Sequence, residues 1–555
     1  MTLSRAALGL TFAALTLARI AGAQHEHPGA EPGGPAAKPA LYDNLGAYHR
    51  AITTRSPEAQ RYFDQGLRLL YAFNLEEAQR SFEEAAKLDP ACASCFWGQA
   101  LSLGPHINLP GQPDRTKAGH LAARRAAALA KKATPVERAL IEAAVKRFSD
   151  PPPAGEEAQK ALDTAYAQAM GKVAKRFPGD LDAAALYAEA LMDLRPWDLW
   201  TEDGRPRPGT EEILATLESI LEKNPDHPGA NHYYIHAVEA SAHPEKGVAA
   251  AQRIARLVPG AAHIVHMPSH IYARVGRWAD ASEANRQAIA IDREYLAKAG
   301  TLGFYFMYAA HNYQFLWSTA MMQGRGTEAL ENARAVVAQT PPEMLSQMPG
   351  FDFMLGYPVW TLVKLGRWEE ALAEPAPPIG FPYLSAATHS ARGIALANLG
   401  RLEEAERELQ AVKQAAAEVP ADAREGVNAA KPLLVIAENL LVASIAKQRG
   451  EMAEAVRRLE AAVAAEDTLR YDEPPDWYIP VRHALGEALL AAGRGAEAEQ
   501  VWEEDLRRHP ENGWALHGLA ESLRLQKKDD AGVRRRFETA WKNADVKLSA
   551  VDRQP

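Results

Sequence analysis

The chain has 555 residues, 47% apolar and 24% charged, with a formal net charge of −9. This composition excludes a disordered chain and a polytopic membrane protein, and at roughly 100–200 residues per domain the length calls for several domains or one elongated array. The 62 Lys and Arg lie scattered among 71 Asp and Glu, so no basic stripe is available for a phosphate backbone and no nucleic-acid partner is expected.

Arg5 precedes an apolar run from Ala6 to Leu17, followed by the small residues Ala21-Gly22-Ala23. This order predicts a secretory signal peptide over 1–23, cut after Ala23; the alternative is an ordinary N-terminal helix. The run is shorter than the roughly 20 residues a membrane helix needs, and no later segment reaches that length, so the mature chain is expected to be periplasmic or secreted and not an integral membrane protein. The Pro/Gly/Ala-rich stretch that follows predicts a flexible tether and lead-in over 24–56. Gln24-His25-Glu26-His27 lies in that tail and offers two weak metal ligands.

From Ala59 onward an internal repeat takes over. Gly66, Ala78, Phe82, Ala85 and Pro90 follow the 34-residue pattern of the tetratricopeptide repeat (TPR), a pair of antiparallel helices. The small residues mark where two helices approach closely, and the proline ends the second helix because it lacks an amide hydrogen. A glycine followed five residues later by alanine recurs as Gly276/Ala281, Gly324/Ala329, Gly366/Ala371, Gly400/Ala405, Gly450/Ala455 and Gly493/Ala498. Closing prolines stand at Pro178, Pro225, Pro259, Pro341 and Pro510. The expected fold is an all-α, TPR-type α-solenoid of about ten helical hairpins with loop insertions, divided into an N-terminal array over 57–345 and a C-terminal array over 346–555. Stacked neighbours bury the apolar faces of such repeats, so most Leu, Ala, Phe and Trp are assigned to the core.

Histidines depart from that packing logic. His227, His232, His236, His243, His263, His266 and His270 crowd one short stretch. With repeats starting at 228, 262 and 310, His232, His236, Glu239, His263, His266, His270 and His311 all fall at first-helix positions that line the concave groove of a TPR array. Imidazoles four residues apart stand one above the other on a helix. Two such neighbouring sets predict a transition-metal site of His and Glu on the groove wall, suited to zinc, copper, nickel or iron. Glu189, in the preceding repeat, and Glu239 are the candidate bases should the ion be catalytic. The alternative is that these histidines only pack on Tyr233, Tyr234 or Tyr272, or hydrogen-bond across helices.

Cys92 and Cys95 open a helix after Asp89-Pro90. Three outcomes stand open for them: a local disulfide, metal ligation, or a thiol of lowered pKa with redox activity. Two insertions interrupt the repeats, at 104–115 and 195–209. They are expected on one rim as lids over the groove, with His106, Asn108, Trp197 and Trp200 as contacts. The zincin motif, a phosphate-binding glycine loop and a nucleophile elbow are not found, and the phase of Ser269 turns it into the core.

The segments at 63–74 (FDQGLRLLYAFN), 186–200 (LYAEALMDLRPWDLW), 227–241 (HPGANHYYIHAVEAS) and 266–277 (HMPSHIYARVGR) resemble a group of bacterial exported TPR proteins labelled as components of a TonB system. The resemblance implies a cell-envelope protein linked to uptake and transfers no catalytic residues. Three readings follow. One is an exported binding scaffold that takes a protein or peptide in its groove and carries a metal site. Another is a metal-dependent hydrolase or oxidoreductase on the same scaffold. The last is a metal-free adaptor whose histidines recognise a ligand or sense pH.

Overall fold

The structure is a computed structural model that describes residues 38–201, 204–299, 303–346 and 348–548. The expected signal peptide, the tail histidines and the first part of the tether lie outside the described residues. The chain divides into two compact units: the described residues up to Pro268 together with Ala290–Tyr305, and Ser269–Ile289 together with the described residues from Phe306 onward. The division expected at 345/346 is thereby corrected. The long helix Trp278–Ala299 contributes its first part to the second unit and its last part to the first.

Both units are successions of helical hairpins of TPR type. In the first, Pro57–Tyr71 pairs with Leu75–Leu88, Ala93–Leu103 with Pro113–Leu129, Leu181–Met192 with Thr210–Lys223, and Pro228–Glu239 with Val248–Leu257. In the second, Pro382–Asn398 pairs with Leu402–Glu418, Ala430–Gln448 with Met452–Glu466, Val481–Ala491 with Gly495–Arg508, and Gly513–Leu525 with Ala531–Ala540. One short antiparallel ladder, Arg424–Glu425 with Asn428–Ala429, interrupts the second unit. Among the described residues no helix is long and apolar enough to cross a membrane.

The predicted punctuation has a visible cause. Helices end at Arg176, Lys223, Leu257, Gln339 and Arg508, each two residues before its closing proline. The residue in between leaves the α region, as at Asn224 (φ −142°, ψ 89°) and His509 (φ −125°, ψ 72°). A proline ring disfavours helical backbone on the residue before it. The six turn glycines have φ between +65° and +77°, the left-handed region that glycine enters without a Cβ clash. The alanine five residues after each is buried to within 1%.

Close approach explains other small residues. The Phe82 ring lies where a Cβ on Gly66 or Gly98 would meet it at 2.7 or 2.3 Å. The second unit repeats the device: Trp502 would meet a Cβ on Gly486 or Gly518 at 2.3 or 2.2 Å. One aromatic ring from a second helix thus fills the space vacated by two glycines of neighbouring first helices.

The tether expectation needs correction over 38–56. This segment is docked on the first unit. Arg50 donates to Asp180 and Asp182 at 2.8 Å, Tyr48 donates to Asp182 at 2.7 Å, and the Thr53 amide donates to Glu137 at 2.7 Å. Burial alone would raise the Asp182 pKa. Hydrogen bonds and charge from His227 and Arg50 instead hold it well below the usual carboxylate range.

Candidate metal centre

The helix Pro228–Glu239 begins with a capping histidine. Nδ1 of His227 accepts from the amide of Ala230 at 3.1 Å, and Pro228 takes the first helical position, where no amide hydrogen is needed. Every residue of this helix is buried. His232 and His236 are one turn apart on it, and Glu239 lies three residues further on. The chain then breaks at Pro259 and re-enters a short helix, Ala262–His266, which carries His263.

Three imidazoles converge. Nε2 of His232 stands 3.1 Å from Nε2 of His263. The His232 and His236 ring centroids are 4.9 Å apart, and one nitrogen from each of His232, His236 and His263 lies within 4.8 Å of the other two. Two nitrogens bound to one tetrahedral ion at roughly 2.0–2.1 Å stand about 3.3 Å apart. The 3.1 Å between His232 and His263 suits a shared ion, and His236 stands within reach of the same point.

The outer contacts orient these rings. A carbonyl can only accept, so Nδ1 of His232 donates to the carbonyl of Tyr71, at 2.6 Å. That places the proton on Nδ1 and makes Nε2 the ligating nitrogen. Nδ1 of His236 pairs with the Glu239 carboxylate at 2.8 Å, which likewise makes Nε2 the nitrogen that would ligate. Carboxylate or carbonyl behind each imidazole is the arrangement that fixes tautomers in histidine metal sites. Glu239 is therefore an orienting partner in this unit, not a ligand of the three-histidine set.

The predicted open groove is absent at this place. His232, His236 and His263 are 0, 6 and 3% exposed. Phe73 covers them: its ring stacks on His263 and His236, with centroids at 5.7 and 6.0 Å, and meets His232 at a tilt of 58°, with centroids at 4.5 Å. Both insertions arrive as well. His106 is buried and stacks on Phe73 at 4.2 Å; Trp197 meets His236 edge-on at 5.5 Å. The Trp197 indole donates to the side-chain oxygen of Asn108 at 3.1 Å, joining one insertion to the other. Trp200 donates to the carbonyl of Ala237 at 2.8 Å and so packs on the histidine helix itself. Burial, then the charges of Arg115 and Arg147, push the His106 pKa well below its ordinary value, so this ring is neutral.

Other predicted residues fall elsewhere. Glu189 is paired with an arginine. Arg147 donates to it at 3.1 Å and to Asp193 at 2.9 Å, in a buried group of two carboxyls and one guanidinium. Burial and the neighbouring Glu189 raise the Asp193 pKa well above its usual range, since two carboxylates share one guanidinium. His266 is buried in the first unit with its ring 5.8 Å from that of His263. His270 and His311 belong to the second unit, where their rings are 5.8 Å apart. There Nδ1 of His311 pairs with Gln314 at 3.0 Å, and Nδ1 of His270 lies 3.9 Å from Glu473. Ser269 is fully buried. Cys92 and Cys95 are joined in a disulfide, which sets aside their roles as thiolate metal ligands or reactive thiols.

Sequence reasoning missed Phe73, the Tyr71 carbonyl and the Arg147 group. Phe73 did carry a signal. It stands five residues before Ala78, the turn position that is glycine in six other repeats.

No protein-family model matches the chain, and no curated protein matches it. Solved structures do. The Cut9 and Hcn1 hetero-tetramer of APC/C is 13% identical, with 89% of this chain and 76% of that chain covered and a TM-score of 0.29. Human IFIT1 with m7Gppp-AAAA is 13% identical over 85% and 94% of the two chains, with a TM-score of 0.33. Yeast Tom70 is 10% identical over 87% and 91%, with a TM-score of 0.32. At this level the likenesses say nothing about ligand or partner, and the TPR assignment rests on the hairpins themselves.

Proposed function

We propose that this chain is an exported TPR binding protein that carries one transition-metal ion on His232, His236 and His263. One observation carries the metal: three buried imidazoles converge while Nδ1 of His232 and of His236 is held by the Tyr71 carbonyl and by Glu239. Three nitrogen ligands suit zinc, copper or iron. The ion supplies a fixed positive centre that ties the helix Pro228–Glu239 to the helix Ala262–His266. Tyr71 and Glu239 hold the imidazole protons away from it, and Phe73 and Trp197 exclude water.

Export is supported by Arg5, the run Ala6 to Leu17 and Ala21-Gly22-Ala23. A disulfide between Cys92 and Cys95 suits an oxidising compartment. TPR arrays present helix faces to protein or peptide partners, and the resemblance to envelope TPR proteins points to an uptake system as the place to look for one. Because the imidazoles are buried, the partner surface lies elsewhere on the repeats.

The test is expression of the untagged full chain in a Gram-negative host. The expected product is a periplasmic protein whose N-terminus is Gln24, with about one equivalent of a transition metal by elemental analysis. His232→Ala and His263→Ala should each lose the ion. Sub-stoichiometric metal in the wild type removes the metal reading, and an uncleaved cytoplasmic product removes the export reading.

A further inference from the structure

The turn of the first hairpin departs from the repeat rule. Gly276, Gly324, Gly366, Gly400, Gly450 and Gly493 each precede a buried alanine by five residues and have φ between +65° and +77°. Phe73 holds the same place before Ala78 and has φ +55°. A side chain with a Cβ is strained there, and a bulky one especially so. Glycine would satisfy the turn without that strain.

The ring that comes with the strain is 3% exposed and touches four imidazoles: His106, His232, His236 and His263. Trp197 repeats the pattern. It is another of the four non-glycine residues with left-handed backbone among the described residues, at φ +56°, and its ring meets His236. Two strained aromatic residues from separate turns therefore bear on one histidine. Strained backbone persists where the surroundings over-determine it, and it concentrates at functional sites.

We infer that Phe73 is a positioning residue of the three-histidine site, its left-handed turn aiming an aromatic plate that holds the imidazoles in their converging orientation. This rests on the metal reading above and assigns the first repeat a role in it. The chemistry is simple. Hydrogen bonds donated to the Tyr71 carbonyl and to Glu239 fix one edge of two rings, and a flat neighbour fixes the ring plane, which a hydrogen bond alone leaves free to rotate. Offset stacking supplies that restraint at His236 and His263, and the tilted contact of the same ring supplies it at His232.

The test compares wild type with Phe73→Leu, which keeps an apolar side chain and the strained turn but loses the plate. Cobalt(II) is added to metal-free full-length protein, and affinity and the visible absorption of the bound ion are read. Phe73→Leu should bind cobalt about 10–100-fold more weakly, the range seen for outer residues of metal sites, with an altered absorption band. Phe73→Gly, which removes strain and plate together, should weaken binding at least as much. A residue with only a packing role would lower the melting temperature of the metal-free protein and leave the band unchanged. Hydrogen–deuterium exchange at the imidazole C2 position gives the second measurement. In metal-free Phe73→Leu, exchange should accelerate several-fold at His232, His236 and His263 and stay unchanged at the buried His483. Wild-type protein that binds no cobalt overturns the metal reading alone, and the exchange experiment still decides Phe73. Unchanged exchange at all three histidines, or wild-type cobalt affinity and absorption in Phe73→Leu, overturns the inference.

Discussion

Nδ1 of His232 donates to the main-chain carbonyl of Tyr71 at 2.6 Å, across 161 positions of sequence. The first repeat thereby sets the tautomer of a histidine in a much later one. Tyr71 is itself anchored, its hydroxyl donating to Asp182 at 2.5 Å.

Glu239→Gln keeps an oxygen that can accept from Nδ1 of His236 but removes the charge. The metal should stay bound with affinity about 10–100-fold lower, and Glu239→Ala should lose more. Competition with a chromophoric chelator measures both. Equal affinity of wild type and Glu239→Ala would end the orienting role.

Arg147 is 3% exposed and faces Glu189 and Asp193. Arg147→Met strands two carboxylates in the interior. Removing one partner of a buried ion pair costs about 3–5 kcal/mol. Urea unfolding should show this as a lowered midpoint, and Glu189→Gln should cost less, because the guanidinium keeps Asp193.

Stability of the second unit should depend on pH through Glu425. Burial first, and then Asp352, push its pKa up to about 10. A carboxyl whose folded pKa is raised holds its proton in the folded chain while the unfolded chain releases it. Stability is therefore fully present below the unfolded value of 4.5 and falls as pH rises towards 10, by at most about 1.4 kcal/mol per pH unit. Glu425→Gln should flatten this slope and melt higher than wild type at pH about 8.5, with the difference shrinking toward pH about 5. Parallel melting curves at both pH values would contradict the assignment.

The Cys92–Cys95 bridge closes a very short loop. Loop-closure entropy gives it about 2 kcal/mol. Replacing both cysteines by serine should lower the melting temperature modestly and leave metal content unchanged. Lost metal would reinstate the thiols as ligands.

Much of the fold was legible because its rules are local. A proline acts on the residue before it, and a glycine relieves its own turn, so Pro225 and Gly400 could be read in place. Counting from those marks also put His232, His236 and His263 at related phases. The open groove was misjudged for a different reason. Phase tells which way a side chain leaves its own helix, not what arrives from elsewhere to cover it. Phe73, His106 and Trp197 arrive from three other hairpins. The partner of Glu189 was hidden likewise, since nothing near it in sequence announces Arg147.

The amino-acid sequence by itself determined the hairpins, their turns and ends, and which histidines leave their helices in register, because backbone sterics and helical periodicity act over a few residues. Only the tertiary structure decided that the imidazoles lie buried, which ring nitrogen each one turns inward, and that Glu189 is spent on an arginine. Those outcomes depend on desolvation and on hydrogen bonds between groups that meet only when distant repeats pack.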